Sequence, residues 1–134
     1  MPGAPVLDSH ALLKLLRDEP GAEAVSLILE KASERDQPVH MTEVNYAEVQ
    51  YMVRRKDGDA AWTAIAHELK AAPIEFHPAD RRLADAAADF KVRHKISLAD
   101  AFAAALAKER KTELVTGDPE FKPLEKEIKI NWLK

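Results

Sequence analysis

The chain contains no cysteine, which excludes disulfides, thiolate zinc sites and thiol nucleophiles and suits a reducing compartment such as the cytoplasm. It has no apolar run approaching the roughly twenty residues that a membrane span requires. Its first residues, Met1-Pro2-Gly3-Ala4, carry no basic segment of the kind that opens an export signal. A cytoplasmic protein without a membrane anchor is the expectation. Positive charge is not in excess either: 20 Lys and Arg stand against 23 Asp and Glu, a net charge of −3. That balance argues against a general nucleic-acid coat and leaves room for a local basic patch. No internal repeat, low-complexity segment or linker divides the chain. What is present is apolar content, 46% of 134 residues, enough to bury roughly two-thirds of the unfolded surface. One domain over residues 1–134 is predicted.

The organising stretch is SLADAFAAALAKERKTELVTGDPEF, residues 97–121. Ser97 followed three residues later by Asp100 has capping-box spacing, and residues 101–107 are apolar on every side, which marks a buried helix. Asp100 then sits in the first turn of that helix. Residues 112–116 read as a strand stopped by the turn Gly117-Asp118-Pro119, so Asp118 lies just past a strand's carboxyl end. In open α/β sheets ligands bind at that edge.

The rest alternates in the same rhythm. Residues 4–7 form a buried-type strand ending at Asp8, with Ser9 as cap of a helix from His10 to about Arg17. Glu19-Pro20-Gly21 breaks it, and a helix from Ala22 loses its apolar spacing at residues 33–36. A strand over 38–41 leads into a helix capped by Thr42 and ended by Lys56-Asp57-Gly58. A helix over 59–72, a strand over 74–76, a helix opened by Pro78-Ala79-Asp80 with Leu83, Ala86, Ala87 and Phe90 inward, and a last strand over 128–133 complete the chain. Five strands alternating with helices predict a mostly parallel sheet covered on both faces.

Four acids could converge at one edge of that sheet: Asp8 and Asp118 after strands, Asp100 at a helix start, and Glu48 one turn into the helix after the second strand. Glu43, five residues before Glu48, lies well around the helix from it and ranks below it, as a first-turn acid favoured by the helix dipole. Apolar neighbours at Tyr46, Ala47 and Val49 predict a buried Glu48 that needs a cation or a hydrogen-bond partner. Clustered carboxylates repel unless a cation neutralises them. Oxygen donors without cysteine or paired histidine favour Mg²⁺ or Mn²⁺ over zinc. Such a pocket suits hydrolysis of a phosphodiester.

With these motifs in hand the sequence resembles the PIN-domain ribonucleases, and among them the VapC-type toxins of bacterial toxin–antitoxin pairs. The resemblance runs over nearly the whole chain. It rests on VLDSHALL at residues 6–13, EPGAE at 19–23, NYAEV at 45–49, SLADAFAAALA at 97–107 and VTGDPEF at 115–121. His10 stands where many members carry Ser or Thr. The resemblance implies a PIN-like three-layer α/β sandwich and Mg²⁺-dependent cleavage of RNA, with Mn²⁺ as a substitute. It implies Asp8, Glu48, Asp100 and Asp118 as metal-binding catalytic acids, with Thr116 and Ser9 as secondary hydroxyl candidates. It also implies a homodimer inhibited by a small antitoxin.

Singly, each motif has a local explanation. Asp100 can cap a helix, Asp118 can form a turn and Asp8 can start a helix; Glu48 is the least explained of the four. The basic residues at 54–56, 81–82, 91–95 and 108–111 sit near helix ends, where the macrodipole favours them, and any rim of them around the acids could hold RNA phosphates. Trp62 and Trp132 read as core or dimer-interface anchors. His40, His67, His77 and His94 show no ligand spacing and receive no role. Besides the nuclease, a housekeeping RNA-processing enzyme and a catalytically silent PIN-fold interaction protein remain open. A phosphoacceptor module would want adjacent acids after the first strand, where Asp8 is followed by Ser9-His10.

Overall fold

The computed structural model describes residues 3–134. Pro5 has no amide proton, so the first strand begins to donate at Val6, whose N–H bonds the Glu113 carbonyl at 2.9 Å. Strand β1 is Val6–Leu7, shorter than the predicted 4–7. Helices α1 (Ser9–Leu16) and α2 (Ala22–Glu34), strand β2 (Val39–Thr42), helices α3 (Glu43–Asp57) and α4 (Asp59–Ala71), and strand β3 (Ile74–His77) follow. The chain continues through α5 (Arg81–Arg93), α6 (Leu98–Arg110) and β4 (Leu114–Thr116). A short 3₁₀ helix, Pro119–Leu124, then leads to β5 (Ile130–Trp132).

Other boundaries differ from the sequence reading for local reasons. Asp8, not Ser9, caps α1: its backbone is extended and its carboxylate accepts the Ala11 N–H, while Ser9 is already helical. At the other end of α6, Lys111 takes the left-handed conformation (φ 53°) and the Thr112 N–H bonds back to the Ala107 carbonyl, a Schellman closure. Thr112 thus belongs to the helix end, and the expected strand over 112–116 starts at Leu114. The Ile128 N–H likewise returns to the Leu124 carbonyl, which delays β5 to Ile130. The other predicted caps form: Thr42 on α3, Asp80 on α5 and Ser97 on α6 each accept a first-turn N–H, and Gly58 (φ 93°) ends α3.

The five strands pair in the order β3-β2-β1-β4-β5, every pairing parallel. Strand alternation divides the core. Val6 and Leu114 pack with α5 and α6 on one face, while Leu7 and Val115 pack with α1 and α2, and Met41 with α3 and α4, on the other. The result is the three-layer sandwich. Residues 101–107 are all buried, as their all-round apolarity requires, and their alanines let α6 lie between the sheet and α5. No helix among the described residues is long and apolar enough to cross a membrane.

Candidate metal centre

After β1 the chain moves outward to β2 and β3, then returns to place β4 on the other side of β1. The strand order therefore reverses between β1 and β4, and the crevice past their carboxyl ends is where such sheets bind ligands. Asp8 follows β1 and Asp118 follows β4, so topology alone brings two of the predicted acids to this point.

Asp8 is 1% exposed. Its two carboxylate oxygens are separately fixed: Oδ1 accepts the Ala11 N–H at 2.8 Å and Oδ2 accepts the Thr116 hydroxyl at 2.5 Å. The same hydroxyl accepts the Asp118 N–H at 3.0 Å, so Thr116 links both acids across the β1–β4 gap. Asp118 caps the 3₁₀ helix, its Oδ1 taking the Glu120 N–H at 2.9 Å. Asp100 enters from the start of α6, where its N–H donates to Ser97 Oγ at 3.1 Å. Asp100, Asp118 and Glu120 each present a carboxylate oxygen within 4.8 Å of the other two.

The electrostatics follow from this crowding. Burial pushes the Asp8 carboxyl from 3.8 up to about 7, and the charges of Asp100 and Asp118 add to it against the two hydrogen bonds. Asp100 is likewise raised to about 7, first by burial, then by the charge of Asp118 and, more weakly, of Glu48 and Glu120. None of the ion pairs among the described residues involves these acids. Aggregated carboxylates without a cationic side chain are an oxygen-donor set that fits a hard divalent ion. Asp100, Asp118 and Glu120 are the close donor set; Asp8 and Glu48 lie outside that trio, Asp8 linked by charge to Asp100 and Asp118, and Glu48 to Asp100.

Glu48 differs from its expected setting. It is half-buried, not buried: its helix neighbours face different ways, Val49 inward and Ala47 outward. Its charge reaches Asp100, but its carboxylate lies outside the close trio. Glu43 is exposed. Ser9 is committed elsewhere, accepting from Asn45 Nδ2 at 3.0 Å and donating to the Asn45 carbonyl at 3.3 Å.

Two residues escaped the sequence reading. Glu120 had a visible signal, an acid two positions beyond Asp118 in the turn that Pro119 opens. Asn45 is fully buried and ties three elements together: Nδ2 also donates to the Ala99 carbonyl at 3.2 Å, and Oδ1 accepts the Thr42 hydroxyl at 2.5 Å. Its signal was the T-x-x-N spacing, a capping box with an amide in the acid's place. Gly117 is tightly packed, since a Cβ there would stand 2.9 Å from His10 Cε1 and that side chain would have to shift. His10 itself is held below its ordinary pKa by burial and by Lys14.

Several of the basic residues serve the fold. Arg54 pairs with Asp59, Arg82 with Glu109, and Arg93 with Asp89 and Glu127, while Lys91 donates to the Ile96 carbonyl. A cavity of about 760 Å³, bordered by Lys31, Arg35, Lys108 and Lys111, opens at the amino-terminal edge of the sheet, opposite the acids. Trp62 is buried and Trp132 half-buried, its Nε1–H donating to Glu125.

The sequence profile of the PIN domain matches residues 6–127. A comparison with curated proteins gives no significant match. Among solved structures, VapBC2 from Rickettsia felis, bound to a promoter DNA fragment, superimposes with a TM-score of 0.76 at 17% identity, over 96% of this chain and 98% of that one. DNA-bound VapBC from Salmonella typhimurium gives 0.73 at 14% identity, over 98% of each chain. VapC20 from Mycobacterium tuberculosis, described as a sarcin–ricin loop cleaving toxin, gives 0.69 at 16% identity, over 88% of this chain and 92% of that one. At these identities the likeness is one of fold.

Proposed function

The chain belongs to the PIN-domain family, and from that premise we propose that it is a Mg²⁺-dependent endoribonuclease acting as the toxin of a type II toxin–antitoxin pair. The observation that carries the reading is Asp8, a buried carboxylate fixed by two hydrogen bonds, crowded by Asp100 and Asp118 and balanced by no cationic side chain. Asp8, Asp100 and Asp118 would hold the ion, with Glu48 and Glu120 supporting. Mn²⁺ can substitute, being a hard oxygen-seeking ion of the same class. When bound, the ion supplies Lewis acidity toward the phosphodiester and a nucleophilic water at neutral pH.

The chain's own residues set the geometry. Thr116 holds the Asp8 carboxylate and the Asp118 backbone at one spacing, so Asp8 cannot swing away without breaking a buried hydrogen bond, while the Asp118 carboxylate is held by the Glu120 N–H. Asn45 fixes the α6 start, and with it Asp100, by gripping the Ala99 carbonyl. The substrate is RNA, cut to leave a 5′-phosphate and a 3′-hydroxyl. Within this reading the protein is cytoplasmic and homodimeric, one PIN domain over residues 1–134. A small antitoxin silences it by inserting a basic side chain, arginine by preference, among the acids. VapBC complexes among the structural neighbours support the partner class.

The test is cleavage of labelled RNA by the purified protein with Mg²⁺ and with chelator, beside Asp118→Asn. Metal-dependent cleavage lost in the variant supports the reading, and equal cleavage by a folded variant overturns it. Growth arrest on expression separates a toxin from a housekeeping nuclease: an active enzyme whose expression is harmless is the latter.

A further inference from the structure

A second set of metal-type donors lies away from the acids, at the outer edge of the sheet. The register of β2 with β3 sets His40 opposite Glu75 and Thr42 opposite His77. With side chains alternating along each strand, His40, Glu75 and His77 share one face. His40 Nδ1 lies 2.9 Å from His77 Nε2, and Glu75 Oε2 lies 3.2 Å from the same nitrogen. One donor atom from each of the three falls within 4.8 Å of the other two. His40 is buried, the His77 side chain is 16% exposed and Glu75 is 52% exposed. The cluster is therefore anchored inside and open outside.

Hydrogen bonding alone accounts poorly for this convergence. His77 Nε2 carries either one proton or one lone pair. Its single proton can be given to His40 or to Glu75 but not fully to both, and as an acceptor from His40 it turns a lone pair toward the carboxylate 3.2 Å away. An ion among the three resolves the conflict. Zinc bound tetrahedrally at about 2.0–2.1 Å to nitrogen sets donor-to-donor edges of about 3.3 Å, within a few tenths of an ångström of both short approaches. Two imidazoles and one carboxylate, with a fourth position left to water, are a recurrent zinc donor set. Imidazole also selects borderline ions over Mg²⁺. Arg110 is close enough for its charge to act on His40, and Glu75 supplies the charge that offsets it.

We propose that His40, Glu75 and His77 form a zinc-binding site that ties edge strand β3 to β2, separate from the acidic centre at the carboxyl end of the sheet. The site leaves one coordination position open to solvent on the Glu75 side. It does not depend on the nuclease reading.

The test uses tag-free, chelator-treated protein titrated with Zn²⁺ by calorimetry and with Co²⁺ by visible absorption. Wild type is expected to take up one Zn²⁺ at this site and to give the intense band of tetrahedral Co²⁺. Asp118→Asn should keep both signals. His77→Ala should weaken zinc binding by more than roughly 100-fold, because losing only a hydrogen-bonding partner behind a ligand already costs about 10–100-fold. Glu75→Gln should weaken it in the same direction. His40 is buried, so His77→Ala and Glu75→Gln, on the exposed edge strand, carry the test, with circular dichroism to verify folding. Three results would overturn the proposal: no zinc uptake by wild type, undiminished affinity in folded His77→Ala, or a weak six-coordinate Co²⁺ spectrum abolished by Asp118→Asn.

Discussion

Replacing Asp8 by asparagine should stabilise the metal-free protein at high pH, although it damages the centre. In the folded state the Asp8 carboxyl is raised from 3.8 to about 7, chiefly by burial. Below its unfolded pKa both states hold the proton and nothing is lost. As pH rises from about 4 to about 7 the unfolded chain releases it first, so stability falls across that window and stays lower above it. At 1.36 kcal/mol per pH unit, the loss between pH 5 and pH 8 is about 3 kcal/mol, or about 10 °C in Tm for a chain of this length. The raw wild-type profile does not isolate this, because Asp100, also raised to about 7, adds to it with the same sign while His40 opposes it. Burial, then the charge of Arg110, hold His40 at about 4, so stability is lost as pH falls from 6.5 toward 4. The assay is therefore a difference: thermal melts of wild type and Asp8→Asn, in chelator, from pH 5 to pH 8. Asparagine can still accept the Ala11 N–H, and His40 is common to both proteins. The gap should move in favour of the variant by several degrees as pH rises, and Mn²⁺ should then raise the wild type much more than the variant. Parallel profiles would refute the reasoning.

Other outcomes follow from the same geometry. Asp100→Asn should leave metal-free stability unchanged or raise it at pH 8 while reducing RNA cleavage by roughly 100-fold or more, as expected for a lost metal ligand; a lower metal-free melt with an unchanged Mn²⁺ response would make Asp100 only a capping residue. Asn45→Leu should destabilise by about 2–4 kcal/mol in urea titration, since it removes the amide donor to the Ala99 carbonyl and the Ser9 oxygen and the buried acceptor of the Thr42 hydroxyl. Gly117→Ala should cost about 1–3 kcal/mol through its collision with His10 and Lys14, read in the same titration. Thr116→Val should push Asp8 still higher and steepen the loss of stability with pH, measured by metal-free melts.

How much of this was legible in the sequence depended on the range of the interaction. The α6 helix and its cap were legible because Ser97 and Asp100 are three residues apart and the apolar run is continuous. The parallel sheet was legible from alternation alone, and topology then delivered Asp8 and Asp118 to one crevice. At Asp8-Ser9 the sequence offered two good caps side by side, and only the backbone at Asp8, extended where Ser9 is helical, decides between them. Glu48 was misjudged because apolar neighbours in sequence do not imply burial on a helix, where successive residues face different ways. Asn45 was missed because its partners Ser9 and Ala99 are 36 and 54 residues away. His40 and His77 seemed unpaired for the same reason: 37 residues separate them, and the β2–β3 register alone makes them neighbours.

The claim at the centre of this account is that Asp8, Asp100 and Asp118 hold a divalent ion at the β1–β4 crevice. Anomalous diffraction from crystals of the protein grown with Mn²⁺ tests it most directly. A manganese peak is expected within bonding distance of carboxylate oxygens from Asp8, Asp100 and Asp118, absent in crystals of Asp8→Asn. Fully occupied manganese elsewhere, with none among the three aspartates, would contradict it.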